Sequence, residues 1–398
     1  MSRSLRVGLN LVYLVESSGG AGTYARELIP ALLNIDPGTR ITAFVGRSAP
    51  ADLRLTPWAS EVEWVTLPVD YDDGRPWNPL MAGVAQWGAV PWGAARRRLD
   101  VLHGLANVVP IVSPRVARVV SLLDLIWLHF PTTMTRRATL TMKLTALPSV
   151  RAADRVIAIS QAAKRDMVAT LGLGEDKIDV TPLGVRDGAR TEPAPEADLR
   201  AELALGQARV VLCVAQKREH KNLARLIRAV AGLVGDVKLV LVGSPTPHEE
   251  ELRSLARQLG AADRVRFPGW LTDAQLEGLY RLATLFVLPS LEEGFGLPLL
   301  EAMRRNLPVA CSDVSSLPEV AGDAAALFDP LEVDDMRAVI ARVLDDRAMA
   351  DRLIAAGRER CRQYTWEATA RATLASYRRA VAGRRHILGN RHTRRGSG

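Results

Sequence analysis

The feature that most restricts this chain is an alternation of short apolar runs with longer helical stretches along most of its 398 residues. In the first half, apolar runs fall at Leu5–Leu14, Ile41–Val45, Val62–Val69, Val101–Leu105, Val119–Leu125 and Val156–Ile159, with helical stretches near Gly22–Leu33, Pro79–Arg98, Arg136–Ala152 and Gln161–Leu171. The second half repeats the pattern, with apolar runs at Ala208–Val214, Val237–Val242, Val265–Phe267, Leu285–Leu288, Pro308–Cys311 and Ala325–Phe328. Short runs that are apolar throughout read as strands buried on both faces. Their alternation with helices predicts an α/β fold built on mostly parallel sheets. This length predicts two domains, and a hydrophobic fraction of 48% is enough for two packed cores.

Parallel sheets of this kind bind ligands at the carboxyl ends of their strands. The most informative such end is Leu285 to Glu301. An apolar strand runs into a turn holding Gly294 and Gly296, and a helix follows from Leu297, with Pro298 where a first turn tolerates proline. Amides that open a helix have no intrahelical partner, and the helix dipole favours an anion beside them. Glu293 lies at the helix mouth and Glu301 about one turn inside. A phosphate between two carboxylates suits a nucleotide-sugar, with amides on the diphosphate and carboxylates accepting from sugar and ribose hydroxyls. The alternative is a tight turn with two solvated glutamates.

Other strand ends carry weaker signals. Gly19, Gly20 and Gly22 follow the first strand, in a spacing that is not the dinucleotide fingerprint. Lys217, Arg218 and Lys221 follow Ala208–Val214, either aimed at phosphate or as a solvated charged turn. His103, Asn107 and Asp124 fall at or just after strand ends. His103 and Asp124 are the candidates to face a reacting sugar, against the alternative of polar groups bonded within the fold. Ser160 reads as a helix cap and His129 as a partly buried structural residue. The mixed apolar and basic stretch Met134 to Val150 reads either as a helix packed on its own sheet or as one that meets lipid.

Three cysteines, Cys213, Cys311 and Cys361, are too few and too scattered for a disulfide framework or a zinc site. No stretch is apolar enough to span a bilayer, and the chain opens directly into a strand without a signal peptide, so a cytoplasmic protein is expected. The net charge is +8, with clusters at Arg96–Arg98, Arg136–Arg137 and the tail from Arg384. An anionic substrate or membrane surface fits that charge. Nucleic acid does not, because no binding module is present and no aromatics interleave the basic clusters. The expected layout is an N-terminal domain over 1–190, a linker over 191–206 marked by Pro193 and Pro195, a C-terminal domain over 207–365, a closing helix over 366–382 and a basic disordered tail over 383–398.

Taken together, these motifs resemble the retaining GT-B glycosyltransferases of family four. The likeness runs from Val7 to about Tyr377. It rests on Glu293 and Glu301 with seven residues between them, and on Gly19–Tyr24, Val101–His103, Lys221 with Asn222, Leu241–Gly243, Phe267–Gly269, Leu317–Val320 and Tyr364–Glu367. The resemblance implies two Rossmann-like domains facing across a cleft, the first binding acceptor and the second the nucleotide-sugar, with the closing helix packed back on the first. It implies that Glu301 binds ribose and Glu293 the transferred sugar, with amides from Gly294, Phe295, Gly296 and Leu297. Lys221 would bind the diphosphate, assisted by Arg218 or Lys217. Trp270 and Leu271 would line the base pocket, and Gly20 would close over the phosphates.

The implied activity is metal-independent hexosyl transfer with no cofactor. The donor would be a GDP-, UDP- or dTDP-linked sugar, and the acceptor a hydroxyl of a glycan, a lipid-linked glycan or a secondary metabolite. The expected place, read from the residues above, is the cytoplasm, or its membrane surface through peripheral contact. Three departures stand out. Leu123 replaces a histidine common in relatives, and leucine can neither take a proton nor bond a hydroxyl. Ala215 and Gln216 stand where Gly followed by Arg or Thr is common, and Asn306 and Leu307 where Gly-Thr is usual. Leu123 keeps a non-catalytic nucleotide-sugar-binding protein in view, and a GT-B nucleotide-sugar epimerase is the other alternative.

Overall fold

A computed structural model describes residues 4–15, 19–70, 83–186 and 191–395, with side chains through residue 386. The chain forms two compact units. One comprises Met1–Leu125, Thr135–Gly184 and Trp366–Gly398, and the other Ile126–Met134 and Val185–Thr365.

The N-terminal unit holds seven strands: β1 (Arg6–Leu11), β2 (Arg40–Val45), β3 (Val62–Thr66), β4 (Val101–Gly104), β5 (Ala117–Leu122), β6 (Arg155–Ala158) and β7 (Ile178–Val180). They are ordered β3-β2-β1-β4-β5-β6-β7, and every pairing is parallel. The C-terminal unit holds β8 (Arg209–Val214), β9 (Val237–Val242), β10 (Val265–Gly269), β11 (Leu285–Leu288), β12 (Val309–Ser312) and β13 (Ala326–Phe328). Their order, β10-β9-β8-β11-β12-β13, is the same winding, again all parallel. Each sheet reverses its strand order once, between β1 and β4 or between β8 and β11. The loops leaving the two strands at that reversal part to opposite faces and leave a crevice where ligands bind.

Local chemistry sets the element ends. The helix Gln161–Leu171 starts where the Ser160 hydroxyl accepts from the Ala163 amide at 2.9 Å, and it stops at Gly172 with φ +64°. Such a cap contributes about 1 kcal/mol. Asn306, where glycine is usual in relatives, adopts φ +59° after the helix Leu297–Arg304. Asparagine is among the few other residues that visit this region, and Arg358 Nε donates to its Oδ1 at 2.6 Å. The backbone turn is therefore kept without glycine.

Three features differ from the sequence reading. The expected linker contains a helix, Glu196–Glu202, with Leu199 fully buried against the helix Asp273–Leu282 and the Ala194 amide bonded to the Ala274 carbonyl at 2.9 Å. Seven residues give too short a period to detect. The tail expected to be disordered from Gly383 continues the helix Trp366–Arg395, and Arg384 pairs with Asp154 at 3.2 Å. Composition alone carries no trace of that partner. Segment Ile126–Met134 belongs to the C-terminal unit although it leaves β5. Of the expected helix Pro79–Arg98, residues 79–82 lie outside the described residues, as do Ser17 and Ser18 of the first glycine turn; Ala85–Ala89 is a π-helical turn leading into Val90–Arg96.

Candidate functional site

The C-terminal unit brings the expected residues together at its strand-order reversal. After β8, Glu219–Lys221 make one 3-10 turn and Asn222, at φ +56°, swings the chain into the helix Leu223–Ala231. Asn222 Nδ2 donates to the Pro330 carbonyl at 2.7 Å and anchors the turn. Gly243 opens the loop after the neighbouring β9 at φ +148°, and a Cβ there would lie 2.2 Å from the Ala215 carbonyl oxygen. Only glycine lets these two loops touch backbone to backbone.

Lys221 from the β8 loop meets Glu293 from the β11 loop, with Nζ 2.7 Å from Oε1. Ser290 Oγ donates to the same Oε1 at 2.8 Å. The Glu293 backbone is pinned as well: its amide donates to Ser315 Oγ at 3.2 Å, and its carbonyl accepts from Ser316 Oγ at 2.9 Å. Glu301, one turn into the helix Leu297–Arg304, accepts from the Tyr280 hydroxyl on Oε2 at 3.1 Å. Burial first, then the Glu301 charge, pushes the Tyr280 hydroxyl well above its ordinary pKa and keeps it a donor. Each glutamate is thus held through one oxygen. Among the described residues Glu293 Oε2 and Glu301 Oε1 accept nothing, and both can take a ligand hydroxyl.

Between the two acids, Gly296 stands at φ +91°, and a Cβ on it would meet Leu317 Cδ2 at 2.6 Å. Phe295 is buried and packs edge-on against Tyr364, with ring centroids 5.6 Å apart. The amides of Phe295, Gly296 and Leu297 find no acceptor among the described residues. Three such donors at a helix start, next to a lysine, form an anion-binding concavity.

Segment Ile126–Met134 lies against these loops, which the sequence did not reveal. His129 Nδ1 is 2.8 Å from Glu292 Oε2, Thr132 Oγ1 donates to Glu219 Oε2 at 2.8 Å, and Phe130 packs 5.8 Å from the His220 ring. His129 is therefore a neighbour of the site, not a group held only by its own strand end. Nothing in local spacing links position 129 to position 292. Arg218 is half-buried and spends its guanidinium on Gln216 Oε1, at 3.0 Å, and on the Thr133 carbonyl. Lys217 is corrected as a phosphate ligand. It is fully buried, paired with Glu249 at 3.3 Å and donating to the Gly243 carbonyl, and burial lowers its pKa. Trp270 and Leu271 follow β10, two strands from β8, and Trp270 is 74% exposed.

In the N-terminal unit, Gly20 is the second residue of the helix Gly19–Ile35 after β1, with open space where a Cβ would stand. Asp124 is half-buried just past β5. Leu123 beside it donates its amide to Asn107 Oδ1 at 3.2 Å. His103 is the second correction. It is fully buried in β4, with Nε2 2.9 Å from Ser121 Oγ and Nδ1 2.7 Å from the Tyr377 hydroxyl. Ser121 in turn bonds the Tyr24 hydroxyl at 3.1 Å. Burial pushes the imidazole down to about 3. His103 is a neutral core residue tying the helices Gly19–Ile35 and Trp366–Arg395 to the sheet, with no ring nitrogen left for a sugar.

Comparison with known proteins addresses the chain as a whole. Residues 196–360 match the family model described as glycosyl transferases group 1, and residues 18–188 match that of glycosyltransferase family 4. The chain is 30% identical over 235 residues to the O-antigen chain mannosyltransferase B of Escherichia coli, covering 58% of this chain and 62% of that protein. It is 32% identical over 238 residues to the MMP alpha-(1->4)-mannosyltransferase of Mycolicibacterium hassiacum, covering 58% and 56%. These matches span less than two thirds of the relatives' length. Among solved structures, sucrose-phosphate synthase from Thermosynechococcus elongatus aligns with a TM-score of 0.76 at 24% identity, over 96% of this chain and all of that one. Anabaena Alr3699/HepE in complex with UDP-glucose aligns at 0.73 and 20% identity, over 94% of this chain and 100% of that one.

Proposed function

The chain belongs to the family 4, group 1 glycosyltransferases of GT-B fold, and from that premise we propose that it moves a hexosyl group from a nucleotide-diphosphate sugar to an acceptor hydroxyl with retention at the anomeric carbon. The observation that carries the reading is the convergence of Lys221, Glu293 and three amides unpartnered among the described residues at one strand-order reversal. Lys221 and the amides of Phe295, Gly296 and Leu297 bind the diphosphate. Glu301 takes a ribose hydroxyl on its open oxygen, and Glu293 a hydroxyl of the transferred sugar. Trp270 and Leu271 flank the base.

In the transfer, the acceptor oxygen bonds to the anomeric carbon on the face the phosphate leaves. The carbon–phosphate-oxygen bond breaks, and the acceptor proton passes to the departing phosphate. Negative charge grows on that phosphate, where fixed amides and an ammonium stabilise it without a metal or a cofactor. No protein base is needed, so Leu123 is compatible with turnover. Asp124 is retained as a candidate contact to the sugar. The donor is GDP-, UDP- or dTDP-linked, and the acceptor a glycan, lipid-linked or small-molecule hydroxyl. The relatives named as mannosyltransferases and the neighbour bound to UDP-glucose support that range. The reaction is placed in the cytoplasm or at its membrane face. No helix among the described residues is long and apolar enough to cross a membrane.

Leu123 favours one rival, a nucleotide-sugar binder without turnover. A thermal-shift screen with GDP, UDP and dTDP, followed by nucleotide release from the matching sugars, separates the two. Transfer predicts stabilisation by one nucleotide and release that requires an acceptor hydroxyl. Stabilisation without release supports the binder, release without acceptor supports an epimerase, and no stabilisation by any nucleotide refutes the site.

A further inference from the structure

We propose that the N-terminal unit carries a second anion site, remote from the strand ends near Gly20 and Asp124, that takes a ligand bearing two or more phosphoryl charges. A cavity of about 400 Å³ opens where β1 and β2 begin, lined by five arginines, Arg6, Arg40, Arg96, Arg97 and Arg98, and by one acid, Glu63. The strands run parallel, so this is the opposite end of the sheet from their ligand-facing ends. Arg6 and Arg40 are register partners on adjacent strands, which sets their side chains next to each other. The three consecutive arginines arrive from the end of the helix Val90–Arg96, where Arg98 adopts φ +52°. A non-glycine residue in that region costs about 1 kcal/mol or more, and the surrounding fold must hold it there.

The acids nearby do not neutralise the cluster. Glu63 is committed to Arg97 Nε at 2.7 Å and to the Thr42 hydroxyl at 3.0 Å. Asp100 accepts from the Arg6 backbone amide at 3.0 Å and lies 3.8 Å from Arg385. Among the described residues no carboxylate pairs with the guanidinium of Arg6, Arg40, Arg96 or Arg98. Arg96 instead rests over the exposed Trp92 ring, 5.5 Å from its centroid. Five cations against one carboxylate leave four positive charges around one concavity. Guanidinium forks match phosphoryl oxygens two at a time, and a cleft of one sign concentrates the opposite charge. The volume sits at the small end of small-molecule sites. The phosphoryl group can belong to a free phosphate ester or to a lipid headgroup.

The test titrates pyrophosphate by calorimetry into the intact protein, its Lys221→Ala variant, and an Arg40→Ala/Arg98→Ala variant whose altered side chains are exposed. Anionic vesicles, 30% phosphatidylglycerol in phosphatidylcholine, are assayed by cosedimentation in parallel. The proposal predicts that binding survives Lys221→Ala and weakens about tenfold or more in the arginine variant. Loss of pyrophosphate binding identifies a free ligand, and loss confined to vesicles identifies a headgroup. A second variant, Arg96→Gln, must weaken the same arm. The proposal is overturned if neither probe binds the wild type, if binding is unchanged in the arginine variants, or if Arg347→Ala/Arg362→Ala, an exposed pair of equal charge in the C-terminal unit, weakens it as much. Loss only in Lys221→Ala would assign the pyrophosphate to the donor site and overturn the second site alone.

Discussion

Replacing Lys221 by methionine separates the two duties assigned to this lysine, holding Glu293 and binding diphosphate. The two side chains are 15% and 12% exposed and 2.7 Å apart. Removing one partner of a fully buried pair costs about 3–5 kcal/mol, while exposed pairs contribute about 0–1 kcal/mol. Residual exposure and the surviving Ser290 bond place Lys221→Met between these limits, at about 2 kcal/mol. For a unit of this size that lowers the apparent melting temperature by about 4–8 °C. Combining Lys221→Met with Glu293→Gln in a double-mutant cycle should give a coupling of about 1–2 kcal/mol, read from urea midpoints of the four proteins. Nucleotide affinity reports the second duty. Losing one charge-assisted bond to phosphate costs about 1.5–3 kcal/mol, about 10- to 150-fold in Kd by calorimetry, whereas Glu293→Gln should leave nucleotide affinity nearly unchanged and lower turnover. Additive stabilities within about 0.5 kcal/mol would refute the pairing. A Lys221→Met affinity equal to that of the wild type would refute the phosphate contact.

Three further outcomes are expected. Glu301→Ala removes the ribose contact and leaves the Tyr280 hydroxyl unpartnered, so calorimetry should show nucleotide affinity falling about tenfold. Gly296→Ala combines φ +91° with a Cβ 2.6 Å from Leu317 and should destabilise by about 1–3 kcal/mol in urea unfolding. His103 and His220 are both held at about 3, His103 by burial and His220 by burial followed by Lys221 and Arg218. The unfolded chain takes up these protons below its ordinary 6.5 while the folded protein does not until near 3. Stability is therefore full above 6.5 and lost as pH falls, by about 2 kcal/mol per histidine at pH 5. Urea midpoints that stay level from pH 7.5 to 5 would contradict this.

Much of the fold was legible because its strands are short, largely apolar and mostly separated by helices, and because Gly296 and Gly243 mark turns only glycine can make. The resemblance put Lys221 and Glu293 in one donor site, but their direct pairing depends on β8 and β11 being neighbours in the sheet, which no local stretch shows. The errors arose where chemistry depends on distant partners. His103 ends a strand, as a ligand would, but Ser121 and Tyr377 occupy its nitrogens. Lys217 lies four residues before Lys221, yet it is fully buried, and Glu249 and the Gly243 carbonyl claim it. The segment around His129 lacks any periodic signal for its attachment to Glu292. The basic tail reads as disordered by composition because Asp154, 230 residues away, is invisible to a local reading.

The most direct test is a crystal of the protein soaked with a donor analogue whose anomeric bond cannot be cleaved. The account predicts diphosphate density against the amides of Phe295, Gly296 and Leu297 within reach of Lys221, with ribose at Glu301 and sugar at Glu293. Density at any other strand end, or a diphosphate turned away from Lys221, would contradict it.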